Sequence, residues 1–298
     1  MDVSIIIVNY NTEDLTLQCL ESVYSITNGL TFEVVVVDNA SKDDSVLKIK
    51  QHFPQTILIQ SDTNLGFGCA NNLGYQSSKG EFIFLLNSDT ILINNAIKIL
   101  WQFLNNHDDI AIVGGQLYAK DGLTKVHSYS CIFPSIFMEI DELLSHRLTS
   151  FIDKNRQKRG KKDGFFNVAY ITGADMMLRR SDIEKLGFFD PAFFLYFEET
   201  ELAYRYYNNG KISAFVSESK IIHLEGGSFS LAKTRSKFYV QGRERYYKLN
   251  HKFLYYWTAN LIWNINFIVS LFRNAGSASK RKEWFGRICT LISSKINN

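Results

Sequence analysis

Short apolar runs alternate with amphipathic stretches along the first 118 residues of the chain. The apolar runs predict buried strands at residues 3–9, 32–37, 56–60, 82–86 and 110–116. The amphipathic stretches predict helices at residues 12–24, 67–78 and 94–106, and Ser41 is predicted to cap a further helix led by Asp43 and Asp44. Because strands and helices alternate over short connections, we expect an α/β fold with a mostly parallel sheet and helices on both faces.

This pattern weakens over residues 119–165 and resumes from Phe166. Extended segments are predicted at residues 168–171, 176–179, 212–216 and 221–223. Ser181 is predicted to cap a short helix, and a later helix that follows Phe197 is predicted to end at Gly210. We therefore expect the α/β unit to continue to about residue 230.

Composition narrows the class of protein. The chain has 298 residues and a formal net charge of +3, which suits one large or two small globular domains, and we expect no nucleic-acid partner. The first apolar stretch spans about six residues with no charged segment before it, so no secretory signal is expected. The four cysteines form no C-x-x-C pair, which argues against a zinc site or a disulfide framework and suits the cytosol.

The strand predicted at residues 82–86 ends abruptly in Asn87-Ser88-Asp89. In open α/β sheets, ligands bind in the crevice outside the carboxyl ends of the strands, and Asp38 ends a run of four valines at the same edge. A carboxylate and an amide at this edge suit an oxygen-ligated cation and a phosphate. The alternative is a strand that simply ends in a polar turn.

A glycine-rich segment and a histidine are weaker candidates. Residues 64–74 follow the third strand, and their glycines allow close approach of a ligand, but the spacing is not the dinucleotide fingerprint and a tight turn explains it equally well. His223 ends a strand and precedes Glu225-Gly226-Gly227-Ser228, which favours a site role over a purely structural hydrogen bond.

Three acidic residues, Glu198, Glu199 and Glu201, directly follow the apolar and aromatic residues 193–197. A carboxylate beside such a surface has a raised pKa, which suits a general base near neutral pH. The alternatives are acidic residues that complement a helix dipole and a surface ion pair between Glu201 and Arg205.

Two further segments suggest a charged or apolar partner. Six of the nine residues between Asp153 and Asp163 are Lys or Arg, which predicts either a solvated, mobile loop or attraction to a phosphorylated substrate or a membrane. Residues 253–272 carry no charge, are rich in aromatic side chains and precede a basic tail. We expect them to lie in a membrane interface, and the alternatives are a helix that packs on the rest of the chain or one that spans a bilayer.

Several motifs follow one another in a fixed order along residues 3–230. They are the strand Val3–Asn9 with Tyr10 and Asn11, Val37-Asp38-Asn39-Ala40-Ser41-Lys42-Asp43, the segment 64–74, Asn87-Ser88-Asp89, Gly173-Ala174, Phe189-Asp190, Glu198-Glu199 and His223. This series resembles the family 2 inverting glycosyltransferases of GT-A fold, and in particular their bacterial rhamnosyltransferase-like branch. The order of the motifs, rather than any one of them, makes the resemblance specific.

The resemblance implies a role for each motif. Asp89 would bind Mg²⁺ or Mn²⁺ that bridges a diphosphate, with His223 as a further contact. Gly173 and Ala174 would border the donor or acceptor sugar, and Glu199 would be the general base. Nucleotide binding is implied for Val8, Asn9, Tyr10, Asn11, Asp38, Asn64, Gly66, Asn71, Asn87 and Ser88.

Two positions depart from the pattern of the family. Asn87 stands where the first acid of D-x-D is expected, so Asp89 would carry the metal nearly alone. Glu198-Glu199-Thr200-Glu201 stands where Glu-Asp-x-Asp is expected, which leaves either Glu198 or Glu199 as the base, and we favour Glu199.

The implied activity is metal-dependent, inverting transfer of a hexose such as rhamnose. The donor would be a dTDP- or UDP-linked sugar, and the acceptor a glycan or lipid-linked glycan of a surface polysaccharide such as lipopolysaccharide or capsule. Residues 1–230 would form the catalytic domain (1–118 binding nucleotide, 119–230 binding acceptor), and residues 231–298 a helical extension on the cytoplasmic face of the membrane. The alternatives are a catalytically silent nucleotide-binding module at the membrane, and a sugar-nucleotide hydrolase or nucleotidyltransferase.

Overall fold

The computed structural model describes residues 1–224 and 232–273. The strands in these ranges are β1 (Val3–Asn9), β2 (Phe32–Asp38), β3 (Ile57–Gln60), β4 (Phe82–Asn87), β5 (Thr90–Leu92), β6 (Ile110–Tyr118), β7 (Tyr129–Ser130), β8 (Phe165–Val168), β9 (Tyr170–Ile171), β10 (Asp175–Arg179) and β11 (Ile212–His223). The helices are α1 (Glu13–Ile26), α2 (Ser45–His52), α3 (Gly66–Gln76), α4 (Ala96–Asn105), α5 (Ile136–Leu143), α6 (Arg147–Asp163), α7 (Arg180–Leu186), α8 (Glu198–Asn208), α9 (Ala232–Asn250) and α10 (Phe253–Arg273). Residues 225–228 and the basic tail beyond Arg273 lie outside the described residues.

The central sheet has the strand order β3-β2-β1-β4-β10-β6-β11-β5, and β8 pairs with β11. The run β3-β2-β1-β4 is parallel throughout, and β11 also lies parallel to β6. Strands β10, β5 and β8 pair antiparallel with their neighbours. The predicted α/β fold is therefore confirmed, with antiparallel strands added in its second half.

Apolar side chains cover both faces of this sheet. Ile5 and Ile7 of β1 belong to one core, with Leu100 of α4, whereas Ile6 belongs to a second core, with Leu202 of α8. Successive residues of a strand point to opposite faces, so a strand covered on both sides needs an unbroken apolar run. The strands in the first half of the chain could therefore be predicted from their apolar runs.

Two predicted helix caps are wrong. Helix α2 begins at Ser45 rather than after Ser41. The Asp43 carboxylate accepts hydrogen bonds from the backbone N–H and the hydroxyl of Ser45, and these bonds form a turn that precedes the helix. Helix α7 begins at Arg180, so Ser181 lies inside its first turn.

Two predictions of chain path also need correction. The segments 212–216 and 221–223 belong to one strand, β11, because a register shift against β6 between Val216 and Lys220 absorbs the polar residues between them. The basic run is the C-terminal part of helix α6 rather than a loop. Its helix starts where Asp141 accepts bonds from the N–H groups of Leu148 and Thr149.

Helices α5 and α10 pack together with polar side chains turned inward. Glu139 and Asp141 of α5 and Asn266 of α10 are buried, and Asn266 Nδ2 donates to the Glu139 carbonyl at 2.6 Å. Exposed apolar side chains of the same two helices form what we call the outer apolar face: Phe137, Ile140, Leu254, Trp257, Leu261, Ile265 and Ile268. No helix within residues 1–224 and 232–273 has the length and apolar character needed to cross a membrane.

Candidate functional site

The carboxyl ends of β1, β2 and β4 bring three predicted site segments to one edge of the sheet. In the parallel register, Asn9 pairs with Asp38 across β1 and β2, and Val8 pairs with Asn87 across β1 and β4. We call this polar margin the donor edge. Val8 and Tyr10, on either side of Asn9, are half-buried.

Asn9 is the centre of the hydrogen bonds along the donor edge. Its side chain is buried, and Nδ2 donates to Asp38 Oδ1 at 2.7 Å and to Ser41 Oγ at 3.0 Å. Its Oδ1 accepts from Thr12 Oγ1 at 2.8 Å, and Thr12 Oγ1 lies 3.0 Å from Ser88 Oγ. One amide therefore ties together the ends of all three strands.

The loops after β1 and β2 are joined directly to each other. Ser41 Oγ accepts from the backbone N–H of Asn11, and Asn11 Oδ1 accepts from the N–H of Lys42 at 2.7 Å. The second oxygen of Asp38 accepts from the N–H of Ser41 at 3.2 Å, and Asp38 is buried. Ser41, predicted as a helix cap, thus holds the shape of the donor edge.

The glycine-rich segment meets this edge through Asn64. Asn64 Oδ1 accepts from the N–H of Gly66 at 2.9 Å and from Nδ2 of Asn39 at 3.0 Å. Gly66 has φ +78°, and a Cβ there would lie 2.2 Å from the carbonyl oxygen of Phe194, so only glycine fits. Asn39 was not singled out from the sequence, although it directly follows Asp38 at the end of a strand.

Asn71 and Asn72 differ in what they contact. Asn71 is buried within α3, where its Nδ2 donates to the Phe67 carbonyl at 3.0 Å. The Asn72 side chain bonds both the carbonyl and the N–H of Phe189, at 2.8 and 3.2 Å. Asn72, which sequence reasoning passed over, therefore anchors the segment before α8 to α3.

A short antiparallel pair brings His223 to the donor edge. Strand β11 pairs with β5 so that His223 lies opposite Thr90, and His223 Nε2 lies 3.3 Å from Asp89 Oδ1 and 3.5 Å from Asn87 Nδ2. The Gly173-Ala174 turn lies beside them, because the N–H of Asn87 donates to the Ala174 carbonyl at 3.0 Å. The structure thus brings together the two residues predicted as metal contacts.

This pair fits a cation that takes its other ligands from elsewhere. The described residues contain no group of three or more His, Cys, Asp or Glu side chains arranged to hold a metal ion. Mg²⁺ commonly binds through one or two carboxylates together with substrate phosphates and water, so the Asp89 carboxylate suits Mg²⁺ or Mn²⁺ beside a diphosphate. The His223 imidazole, 3.3 Å from Asp89, would be a further contact to the metal or the diphosphate.

The acidic residues at the start of α8 follow a strained turn. Tyr196 and Phe197 have φ values of +71° and +70°, a left-handed conformation that costs free energy for bulky residues and is concentrated at functional sites. Gly242 of α9 packs against this turn, since a Cβ there would lie 2.4 Å from the Tyr196 carbonyl oxygen. Helix α9 therefore helps to hold the turn that positions Glu198 and Glu199.

The two glutamates have different surroundings. Glu198 is buried, and burial together with the charge of Glu199 raises its pKa well above the usual range, which favours its neutral form. Glu199 is half-buried and lines a cavity, and burial raises its pKa to about 7. Only Glu199 therefore combines access to a cavity with a pKa suited to exchanging a proton near neutral pH.

Glu201 forms the predicted pair with Arg205, but the pair is not a surface feature. Both carboxylate oxygens of Glu201 accept from Arg205 at 3.0 Å, and Glu201 is only 3% exposed. Arg205 also donates to the carbonyls of Leu186 and Phe188, because α8 packs against the end of α7. The ion pair therefore stabilises the packing of α8 against the end of α7.

Residues 4–187 match the family model described as glycosyl transferase family 2, and the chain belongs to this family. It is 31% identical over 210 residues to the low-salt glycan biosynthesis hexosyltransferase Agl10 of Haloferax volcanii, and the match covers 68% of this chain but only 61% of that protein. It is also 23% identical over 258 residues to the N-acetylglucosaminyl-diphospho-decaprenol L-rhamnosyltransferase of Mycobacterium tuberculosis. This match covers 81% of this chain and 82% of that protein.

The fold is also similar to that of a solved structure, the mannosyltransferase PcManGT from Pyrobaculum calidifontis in complex with GDP-Man and Mn²⁺. The TM-score is 0.58 at 15% identity, over 99% of this chain and 86% of that one. The predicted family and fold class are both confirmed.

Proposed function

We propose that the protein is a metal-dependent, inverting glycosyltransferase that moves a hexose, with rhamnose as the first candidate, from a nucleotide sugar to a glycan or lipid-linked acceptor. The observation that carries the proposal is Glu199, a carboxylate on a cavity wall whose pKa of about 7 suits a general base. The names of the relatives support hexosyl or rhamnosyl transfer, and the M. tuberculosis relative is named for a lipid-linked acceptor.

The donor would bind along the donor edge. Asn9, Asp38 and Asn64 already fix the loops that would surround the base and ribose, so little rearrangement would be needed on binding. Asp89 and His223 would hold Mg²⁺ or Mn²⁺ against the diphosphate. The bound cation would neutralise the charge that develops on the leaving nucleoside diphosphate.

Glu199 would take the proton of the acceptor hydroxyl as that oxygen attacks the anomeric carbon. The new glycosidic bond forms on the face opposite the departing diphosphate, so a single displacement inverts the anomeric centre. Burial raises the pKa of Glu198, and its neutral form would keep a second negative charge away from Glu199. The donor nucleotide would be a dTDP or UDP, and the complex of PcManGT with GDP-Man supports a nucleotide-sugar donor in general.

Peripheral binding to the cytoplasmic face of a membrane belongs to the same proposal. A helix in water normally buries its apolar side, whereas α5 and α10 bury polar side chains and expose the outer apolar face. Helix α6, which follows α5, contains seven Lys or Arg residues and two Asp residues, a charge that would favour anionic lipid. Residues 1–230 would act as the catalytic domain, with a nucleotide-binding half (1–118) and an acceptor-binding half (119–230), and residues 231–298 as the helical extension.

Turnover with a panel of nucleotide sugars and a lipid-linked glycan acceptor tests the proposal against its alternatives. A new glycosidic bond of inverted configuration is expected. Free sugar or a new nucleotide would instead indicate a hydrolase or a nucleotidyltransferase, and nucleotide binding without any product would indicate a silent binding module.

A further inference from the structure

We infer that the cavity between α8 and the C-terminal helices is a subsite for a neutral saccharide ring of the acceptor, and that α9 and α10 select that acceptor. This inference rests on the proposed function. The parts of this cavity that α8, α9 and α10 supply lie beyond the segment 4–187 matched by the family model. We call this cavity the acceptor cavity.

The acceptor cavity has a volume of about 310 Å³, near the lower end of the range for ligand pockets. Its walls come from four helices, and they include Glu139 of α5, Glu199 of α8, Tyr239 and Arg243 of α9, and Trp263 of α10. A space of this size suits a small, compact group such as one sugar ring with part of its neighbour. The C-terminal helices therefore form part of the same site as Glu199.

The charges of the lining favour a neutral polyol over a phosphate. Glu139, Glu142 and Glu199 line the cavity, whereas Arg243, its one guanidinium among the described residues, is already held by Glu139 at 2.6 Å and by Asn260 at 2.7 Å. A phosphate would meet three carboxylates, the His146 imidazole and no unpaired guanidinium. Sugar hydroxyls, in contrast, can donate to carboxylate oxygens.

Aromatic rings supply the apolar part of the lining. Tyr196, Tyr239 and Trp263 line the cavity, and the Tyr239 ring packs edge-on against Phe197, 5.2 Å between centroids. Flat aromatic surfaces suit the C–H faces of a sugar ring, while its hydroxyls reach the polar groups at the rim. The lining thus combines the two kinds of contact that a saccharide needs.

One carboxylate oxygen of the cavity residue Glu199 lacks a partner among the described residues. Oε2 of Glu199 is buried and accepts no hydrogen bond from the described residues. An unpaired buried acceptor costs free energy, and a hydroxyl of a ring in the cavity would remove that cost. The same hydroxyl would be the one from which Glu199 takes a proton.

The position of the cavity also suits an amphiphilic acceptor. The inward, polar side of the α5–α10 layer lines the cavity through Glu139 and Trp263, and the outward side carries the outer apolar face. One layer of helix, about 10 Å across, separates the two. A lipid-linked glycan could therefore place its sugar in the acceptor cavity while its lipid stays at the outer apolar face.

The test compares a cavity residue with its neighbour on the same helix. Trp263→Ala removes a wall, Trp263→Phe keeps an aromatic ring, and Asn264→Ala changes the adjacent exposed residue. The probe is synthetic N-acetylglucosaminyl diphosphate on an alkyl chain, titrated in detergent at saturating donor. For Trp263→Ala we expect the acceptor KM to rise about tenfold with unchanged nucleoside diphosphate binding, for Trp263→Phe a rise of at most about threefold, and for Asn264→Ala no change.

A second pair of variants tests the cavity without changing α10, so that misfolding of α10 cannot explain its result. Tyr239→Ala alters the cavity wall from α9, and Tyr207→Ala removes an exposed ring from α8 that does not line the cavity. If the acceptor KM of both cavity variants equals that of their controls while the wild type transfers sugar, the inference is overturned and the proposed function stands. If the wild type transfers no sugar, the proposed function fails and the inference falls with it.

Discussion

The donor edge and the acceptor cavity satisfy their polar groups in opposite ways. At the donor edge, Asn9 uses both atoms of its amide and Asp38 both oxygens of its carboxylate in bonds to neighbouring loops. At the start of α8, the cavity residue Glu199 and its neighbour Glu198 each keep one buried oxygen without a partner among the described residues, and both have a raised pKa.

This difference separates two tasks that one site must perform. A fully bonded polar network is rigid and presents fixed loops to a ligand. A carboxylate held in apolar surroundings without a partner is less stable, but it is ready to accept a proton near neutral pH. The comparison predicts that changes at the donor edge alter nucleotide binding, whereas loss of the Glu199 carboxylate alters the rate of the chemical step.

The largest effect is expected at the cavity carboxylate. Glu199→Gln should lower the transfer rate on the order of a hundredfold or more, the usual scale for loss of a general base, because the amide cannot take the proton. Nucleoside diphosphate affinity should not change. Steady-state transfer assays and calorimetric titration measure the two quantities.

Glu198→Gln is the matched control for this substitution. Because burial and the neighbouring Glu199 raise the pKa of Glu198 and favour its neutral form, the glutamine amide resembles that form, and transfer should stay within a few-fold of wild type. A large loss in Glu198→Gln with little loss in Glu199→Gln would mean that the base has been assigned to the wrong residue.

The donor edge is tested at Asp89. Asp89→Ala should abolish the metal-dependent part of nucleoside diphosphate binding, because the alanine leaves His223 as the remaining predicted metal contact. The metal-dependent binding is measured as the thermal shift that nucleoside diphosphate causes in the presence of Mn²⁺ and in the presence of chelator. A ligand that binds the native state raises its apparent stability. Equal binding by the wild type with and without chelator would contradict a metal site at this edge.

The outer apolar face can be tested separately from both sites. The double variant Leu261→Glu with Ile265→Glu should lower partition onto anionic vesicles at least tenfold, because it removes two apolar side chains and adds two negative charges. Asn264→Glu adds one charge beside these positions without removing an apolar side chain, and it is the control for the effect of charge alone. Equal partition of the double variant and the wild type in a sedimentation assay would exclude membrane contact through this face.

The smallest effect concerns pH. Since burial raises the pKa of Glu199 to about 7, the active carboxylate is lost below that value and transfer should fall about tenfold per pH unit, with the same midpoint in Glu198→Gln. Folding stability has the opposite sign: the native state favours protonated Glu199, so this contribution is present below the ordinary pKa of 4.5 and is lost as pH rises to about 7. A transfer midpoint near 4.5 would show that Glu199 is not desolvated during turnover.

Much of the first half of the fold could be predicted from the sequence. Strands β1, β2 and β4 each contain an unbroken run of four or five apolar residues because both of their faces are buried, and a run of this kind can be recognised without knowledge of its neighbours. The polar residues at their ends were predictable for the same reason, since parallel strands deliver their carboxyl ends to one edge. The second half was harder, because β11 bends through polar residues and α5 and α10 bury the polar side that a soluble helix normally exposes.

The sequence by itself determined the α/β class, the family resemblance and the position of Asp38, Asp89 and the Glu198-Glu199 pair along the chain. Only the tertiary structure decided that Ser41 bonds Asn9 rather than a helix end, that His223 lies beside Asp89, and that Glu199 rather than Glu198 lines the acceptor cavity. It also decided that Tyr239 and Trp263 share that cavity with Glu199. The physical reason is distance along the chain. Local periodicity indicates which face of a strand or helix is buried, whereas partners 32 residues apart (Asn9 and Ser41) or 134 apart (Asp89 and His223) come together only when the elements pack.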